Sequence, residues 1–327
     1  MRQIARRLAF YIAAAWVAVT VNFFIPRAMP GNTVDAMMAK FPHLDPSAFN
    51  ALSAEFGVGH NGSLWHQYVT YLGNVVHGNF GTDLSQYPAS VGSLLRAAIP
   101  WTVALVGTAT IISFVLGTLL GVAAAWRRGG WLDRFLPGFT FLQATPYFFL
   151  ALLLVEFFAV RLNFFPEQRG YGNGLVPSFS WPFISSAIYH ALLPALSIIV
   201  TSIGGWMLGM RNVMITTIGE DYVLAAQAKG LRSRRIIFTY AARNAILPNI
   251  SAFALSIGFI VGGALVMEIV FDYPGVGTML FNAVTSNDYP MLQAVFLIIA
   301  LAVLMANLLA DVVYVLVDPR ARLKEAR

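Results

Sequence analysis

Cysteine is absent from this 327-residue chain, which removes disulfides, thiolate nucleophiles and cysteine-ligated metals. Charge is scarce: 11% of the residues are Asp, Glu, Lys or Arg, while 58% are hydrophobic. A soluble domain carries about 25% charged residues, so there are too few here to coat a fold of this size with a polar shell. Lysine occurs only at Lys40, Lys229 and Lys324, and none completes the G-x4-G-K-S/T loop that cradles nucleotide phosphates. No H-E-x2-H, no G-x-S-x-G and no pair of acids inside an apolar run is present, so the sequence lacks the parts of an intramembrane hydrolase. Low-complexity tracts and tandem repeats are missing too.

Long uncharged runs are what the chain has instead. They cover Leu8–Ile25, Trp101–Trp126, Phe135–Val155, Ala187–Met210, Ala245–Met267 and Met291–Ala310. About 20 residues rising ~1.5 Å each cross a ~30 Å hydrocarbon core. Lipid offers no partners to backbone N–H and C=O groups, so the runs are expected to be helices, six spans in all. Pro194 and Pro248 are expected to bend the fourth and fifth spans or to mark their ends. The first run follows Arg2, Arg6 and Arg7 and is longer than a secretory signal core, with no A-x-A site after it, so it reads as an uncleaved span.

Lys and Arg fix the expected orientation. With the N-terminus inside, 16 of the 21 fall in cytoplasmic segments, the rest being Arg27, Lys40, Arg96, Arg161 and Arg169. Leaving out the long first outer segment makes the ratio 16 to 2, so both termini are expected in the cytoplasm. Trp101 and Trp126 bracket the second run as interfacial aromatics do. The chain then divides into 1–96, a first span plus an extracytoplasmic segment, and 97–327, the main transmembrane domain with a basic cytoplasmic loop over 211–244.

In the outer segment, one short helix is expected over Asp45–Phe56, stopped at Gly57. A second is expected over Ser63–Val76, with Ser63 as N-cap and Trp65, Tyr68, Tyr71 and Leu72 on one face. It could cover a pathway or dock a partner, or lie on the membrane surface. His43, His60, His66 and His77 all fall in this segment, but none is paired at the i, i+4 spacing of a helical metal site; solvated or interfacial histidines are expected, and no metal. Glu156, Glu268 and Asp311 sit at the ends of spans, within reach of water, and no ionisable group lies mid-membrane, which disfavours an ion-coupled carrier. Asn307 within the sixth run suits a helix–helix hydrogen bond. Three G-x3-G pairs, Gly117/Gly121, Gly205/Gly209 and Gly258/Gly262, suit close helix packing, static or moving.

The loop from Glu220 to Pro248 carries more information. Glu220 and Asp221 suit a helix N-terminus, Lys229 a C-terminus, and Gly230 the left-handed turn that stops the helix. Ser233 offers an N-cap for a second helix. Tyr222, Ala225, Ala226 and Lys229 fall at i, i+3, i+4 and i+7 and so share one face. Two readings fit equally: a short rod contacting another protein, or an amphipathic helix on an anionic inner membrane surface.

On these residues the sequence resembles the permeases of ABC importers, in the dipeptide/oligopeptide branch. The loop has Leu224-Ala225-Ala226, then Gly230, then Ala245-Ile246-Leu247-Pro248. Leu224 stands where the general motif has Glu, and the Gly-to-Pro spacing is longer than in the sugar branch; both are features of the peptide branch. Elsewhere come Trp65, Gln67, Tyr68, Tyr71 and Leu72; Gly78-Asn79-Phe80-Gly81, with Asn79 and Phe80 departing from the usual residues; Tyr273-Pro274-Gly275-Val276-Gly277; Asp288-Tyr289-Pro290; and Asp318-Pro319-Arg320. Five such elements in the same order are specific.

The resemblance implies an all-helical, type I importer permease in a bacterial or archaeal plasma membrane. It implies a second homologous permease, two cytoplasmic ATPases that hydrolyse the ATP, and an extracytoplasmic binding protein, with lipid around the bundle and no nucleic acid. Glu220–Gly230 would be the coupling helix, with Glu220, Asp221, Tyr222, Ala225, Ala226, Lys229 and Gly230 as its contact set. No cofactor, metal or catalytic residue is implied in this chain. Peptides are the expected cargo, with oligosaccharides or nickel as alternatives.

Overall fold

The computed structural model describes residues 2–28, 63–83, 85–258, 260 and 265–317. The helix expected over Asp45–Phe56, together with His43, His60, Gly262 and the Asp318-Pro319-Arg320 motif, lies outside the described residues. Helix dominates what is described. In chain order come α1 (Arg2–Ala28), α2 (Leu64–Val76), α3 (Val91–Trp126), α4 (Trp131–Ala144), α5 (Tyr147–Leu154), α6 (Trp181–Ile218) and α7 (Asp221–Ala228). Next is a stretch we label α8, joining Ser233–Arg235, the wide-turned Ile236–Ala242 and Arg243–Ala245. The series ends with α9 (Leu247–Gly258), α10 (Leu265–Val270), α11 (Val276–Ser286) and α12 (Tyr289–Val317).

Among the described residues four helices are long and apolar enough to cross a membrane, in the stretches Arg6–Ile25, Val91–Trp126, Trp181–Ile218 and Tyr289–Asp311. The third apolar run is not one straight rod. It breaks into α4 and a segment Tyr147–Arg161 that begins with α5 and continues through the wide-turned Val155–Arg161, bent by 96°, and counts as a fifth span if the bent pair crosses as one. The cause is local. Pro146 has no N–H to give and crowds the residue before it, and Thr145 is accordingly extended at φ −81°, ψ 126°. Pro194 and Pro100, by contrast, stay inside continuous helices. Pro248 sits in the first turn of α9, where a missing N–H costs nothing. The fifth run is described as α9 and α10, with residues 259 and 261–264 between them outside the description. At 38 residues α6 is about 57 Å long, so it extends well past a ~30 Å core.

By chain contacts the protein forms two compact units, a different criterion from the topological division at residue 96. The first draws on Met1–Thr102, Val261–Leu265 and Pro274–Met305. Its core sets Val91, Leu95 and Ala98 of α3, at i, i+4 and i+7, against Val276, Leu280 and Ala283 of α11 and against Leu292 and Val295 of α12. Asn287, left-handed at φ 54°, ends α11. The buried Asp288 then starts α12 by accepting from Met291 N at 3.0 Å. On α2 the Ser63 side chain accepts from His66 N at 3.3 Å, the expected N-cap. Tyr68 and Tyr71 meet α1: Thr20 and Tyr68 hydroxyls are 2.7 Å apart, and Asn22 Nδ2 donates to Tyr71 Oη at 3.1 Å. Burial pushes the Tyr71 phenol up, while the Asn22 bond pulls it down. His77 Nδ1 lies 2.7 Å from the Gly73 carbonyl of its own helix, and His66 is exposed.

The second unit draws on Val103–Ile260, Val266–Tyr273 and Ala306–Arg327. In it α3 meets α6 closely at two glycines. A Cβ on Gly117 would lie 2.6 Å from Trp206 Cβ, and one on Gly121 2.5 Å from the Met207 carbonyl oxygen. The first G-x3-G pair is therefore a packed seam. In the second pair Gly205 faces the Gln143 side chain and Gly209 faces Asn249, while the neighbouring Gly204 approaches the Phe139 backbone most closely.

Candidate functional site

The loop after α6 folds as a short helix whose seating can be followed residue by residue. Gly219 ends α6, and Glu220, extended at φ −72°, ψ 144°, starts α7 with its carbonyl, accepting from Val223 N at 2.9 Å and Leu224 N at 3.1 Å. The far end closes just as tightly. Lys229 N donates to Ala225 O at 3.1 Å, Gly230 N to Gln227 O at 2.9 Å, and Leu231 N to Ala226 O at 3.4 Å. Gly230 has φ +68°, and nothing lies within 4 Å of where its Cβ would be. Its requirement is thus conformational rather than spatial: L-residues adopt the left-handed region at a cost of about 1–2 kcal/mol.

Val223 and Ala226 anchor the helix, 0% and 3% exposed. They pack with Val122 and Ala125 of α3, Met210 and Met214 of α6, and Ile236, Ala241 and Ala245 of α8. Burying a valine contributes about 1.5–3 kcal/mol, and α7 also has a polar tie: Asn244 Nδ2 donates to Tyr222 Oη at 3.0 Å and to Tyr240 O at 3.1 Å.

The remaining residues of the expected contact set, Glu220, Asp221, Tyr222, Ala225, Lys229 and Gly230, are exposed. Ala226 is not. The face expected to present both alanines outward is split, because Ala226 turns into the chain's own core while Ala225 stays on the surface. Leu224 joins the exposed set at 48% and Phe238 nearby is also open, so the surface is more apolar than the motif suggested. We expect Val223→Asp to unseat α7, since an unpaired carboxylate in this core costs several kcal/mol. Trypsin cleavage after Lys229 in membranes should accelerate at least about tenfold, and a cleavage rate like that of the native chain would contradict the anchoring.

The platform above α7 is braced. Arg211 Nε of α6 meets Asp133 Oδ1 of α4 at 2.6 Å, with side chains only 21% and 15% exposed. Asp133 also accepts from Gly129 N at 2.9 Å, and Arg128 donates to the Ile215 carbonyl at 3.1 Å. Such a partly desolvated, hydrogen-bonded ion pair holds the α4–α6 contact in one geometry.

Farther along the same unit, a cavity of about 620 Å³ opens at the break between α4 and α5, bounded also by α3, α6 and α9. Gln143, Ser202, Trp206 and Asn249 are on its wall, and among the described residues no carboxylate, ammonium or guanidinium is. No motif or periodicity in the sequence marks these residues. Pro146, which breaks the run, was the available signal.

Two end-of-span acids differ in their surroundings. Glu156 is exposed and pairs with Arg161 at 2.8 Å. Glu268 does not reach water as expected: it is 1% exposed. Its carboxylate lies close enough to Tyr273 to add to burial, the larger cause, in holding that phenol far above its ordinary value.

Residues 117–323, which include the whole of this unit's α6–α9 segment, match the family described as binding-protein-dependent transport system inner membrane component. Full-length relatives agree. The oligopeptide transport system permease protein AppB of Bacillus subtilis is 32% identical over 321 residues, 97% of this chain and 98% of the relative. The di/tripeptide transport system permease protein DppB of Pseudomonas aeruginosa is 30% identical over 337 residues, 98% of each chain. The dipeptide transport system permease protein DppB of Escherichia coli is 30% identical over 340 residues, 98% of this chain and 99% of the relative. A helical chain with several membrane-length apolar helices, matched along its length in this way, belongs to the inner-membrane permease components of binding-protein-dependent transport systems.

Proposed function

We propose that this chain is one membrane-spanning subunit of an ATP-driven importer of peptides, and that α7 receives the stroke of a separate ATPase. The observation that carries the second half is the division of α7 into a buried edge, Val223 and Ala226, and an exposed remainder ending at Gly230. A helix seated this way moves as one body with α3, α6 and α8, so a push on its outer face is passed through packed side chains rather than lost in loop motion. Leu224, Ala225 and Tyr222 would fill an apolar recess on the ATPase, with Glu220, Asp221 and Lys229 at its rim.

The partners in this reading are a second homologous permease, two cytoplasmic ATPases and an extracytoplasmic binding protein. The lysines are too few and wrongly placed for a phosphate loop, so the nucleotide is held by those ATPases. Six spans with both termini cytoplasmic would put the basic loop 211–244 on the ATPase side, in keeping with the Lys and Arg distribution. Peptide cargo is supported by relatives of about 30% identity that carry peptide in their names and align over 97–98% of the chain.

The test is uptake into vesicles carrying all the subunits. Labelled peptide should accumulate with ATP and stop with vanadate, and no uptake should follow an imposed proton or sodium gradient. Gradient-driven accumulation without ATP would replace this reading with an ion-coupled carrier. Uptake of oligosaccharide or nickel in place of peptide would keep the machine and change the cargo.

A further inference from the structure

We propose that the cavity at the α4–α5 break is a way-station for the cargo's backbone amides, held by Gln143, Ser202, Trp206 and Asn249. This inference rests on the peptide-importer reading.

The cavity's volume, about 620 Å³, is that of some 20 waters at about 30 Å³ each, and it falls in the range of ligand sites, about 300–1,000 Å³. Its polar groups fall into two classes. The hydroxyls of Thr110, Thr201 and Ser256 are spent within their own helices, donating to Val106 O at 2.6 Å, Ser197 O at 2.8 Å and Phe253 O at 2.7 Å. Such back-bonding is how a membrane helix hides a hydroxyl.

The second class is unspent. Among the described residues the Gln143 carboxamide, the Ser202 hydroxyl and the Trp206 indole N–H have no hydrogen-bond partner. Asn249, only 5% exposed, donates through Nδ2 to Trp206 O at 3.2 Å, and its Oδ1 accepts nothing among the described residues. Asn249 is buried, Ser202 and Trp206 are half-buried and Gln143 is exposed, so this polar capacity faces the cavity and is open to an entering partner.

What would match it is set by the missing charge. Among the described residues no ionised group is on the wall, and Glu268 is felt only through the wall residue Tyr147, so a charged cargo group entering the cavity would give up its hydration without a directly bonded counter-charge. A peptide bond is neutral and carries one donor and one acceptor, complementary to Asn249 Oδ1 on one side and to Ser202, Trp206 and Gln143 on the other. Such contacts read the main chain and ignore the side chains, as an importer of varied peptides requires. Gly205 and Gly209 keep the wall open: a Cβ on either would come within 3.0 Å of the Gln143 and Asn249 side chains.

The test changes the wall's charge and reads cargo selectivity. In vesicles holding the full complex and its binding protein, uptake of Ala-Lys-Ala is compared with that of Ala-Glu-Ala, and the ratio is normalised to the unmodified chain. Gln143→Glu should raise this ratio about tenfold and Gln143→Lys should lower it about as much, with the complex co-purifying intact. Ser202→Asp should move it as Gln143→Glu does, which decides the matter if a Gln143 variant fails to assemble. Ratios that stay put while uptake continues overturn the way-station and leave the peptide reading standing. If the unmodified complex carries neutral oligosaccharide or nickel and no peptide, both fall.

Discussion

Gly230→Val should leave the importer assembled in the membrane, with its ATPases turning over, while peptide uptake falls at least about tenfold. Gly230 sits at φ +68° with open space around it, so valine meets no clash; it meets a backbone conformation that a β-branched residue strongly disfavours. A cost of about 1–2 kcal/mol lowers the population of the closed helix end by a factor of about 5–30. The three bonds that close it, from Lys229, Gly230 and Leu231, then open together. Val223 and Ala226 stay buried, so the helix is held at one edge but is slack at the other. A graded series separates this from a steric or contact effect. Gly230→Asn should keep most of the uptake, because Asn tolerates the left-handed region, with Gly230→Ala falling between. The measurement is cargo imported per ATP hydrolysed. Wild-type coupling in Gly230→Val would remove α7 from the mechanism.

The position of that glycine was legible because a helix stop is a local rule written in adjacent residues: Glu220 and Asp221 at one end, Lys229 and Gly230 at the other. The side on which α7 packs was not. A helix of 8 residues has two turns, and Ala225 and Ala226 are equivalent as residue types; the choice is made by Met210 and Met214 on the preceding helix and by Val122, about a hundred residues away. Apolar runs gave the membrane helices for the same reason, since a helix that must satisfy its own backbone in lipid is specified by composition alone. The 96° bend at Pro146 shows where that reasoning weakens. Pro194 and Pro146 are the same residue in similarly apolar runs, yet α6 continues through one and the third run breaks at the other. At Pro146 the preceding Thr145 is extended, whereas α6 keeps its helix through Pro194, where the Ser197 hydroxyl lies 2.7 Å from the Pro194 carbonyl and 3.1 Å from Met267 Sδ. The burial of Glu268 is hidden likewise, because an end-of-span position says nothing of what packs over it. The cavity was the least legible feature of all. Gln143, Ser202 and Asn249 lie on α4, α6 and α9, and no periodicity relates them.

The seam between α3 and α6 carries the second large expectation. Gly121→Leu should prevent recovery of an assembled, stable complex, with yield down more than about tenfold. Even the first carbon of the new side chain would lie 2.5 Å from the Met207 carbonyl oxygen and 2.8 Å from Met210 Cβ. Neither can yield without moving the α6 backbone. Overpacking of this kind costs about 1–3 kcal/mol or more, and in lipid no hydrophobic driving force offsets a lost helix contact. Gly107→Ala is the control, on the same helix with nothing within 4 Å, and it should be neutral. Gly121→Ala is the informative intermediate. Val122, the next residue, and Ala125, one turn on, belong to the cluster that seats Val223 and Ala226, so wedging α3 from α6 loosens α7 before it unfolds the bundle. Gly121→Ala should therefore assemble, show a Tm lowered by several degrees, about 2–4 °C per kcal/mol for a chain of this size class, and spend more ATP per peptide than the native chain. Unchanged coupling together with a lowered Tm would mean that the seam holds the bundle but does not transmit the stroke, and an unchanged Tm in Gly121→Leu would mean that the helices do not pack there at all.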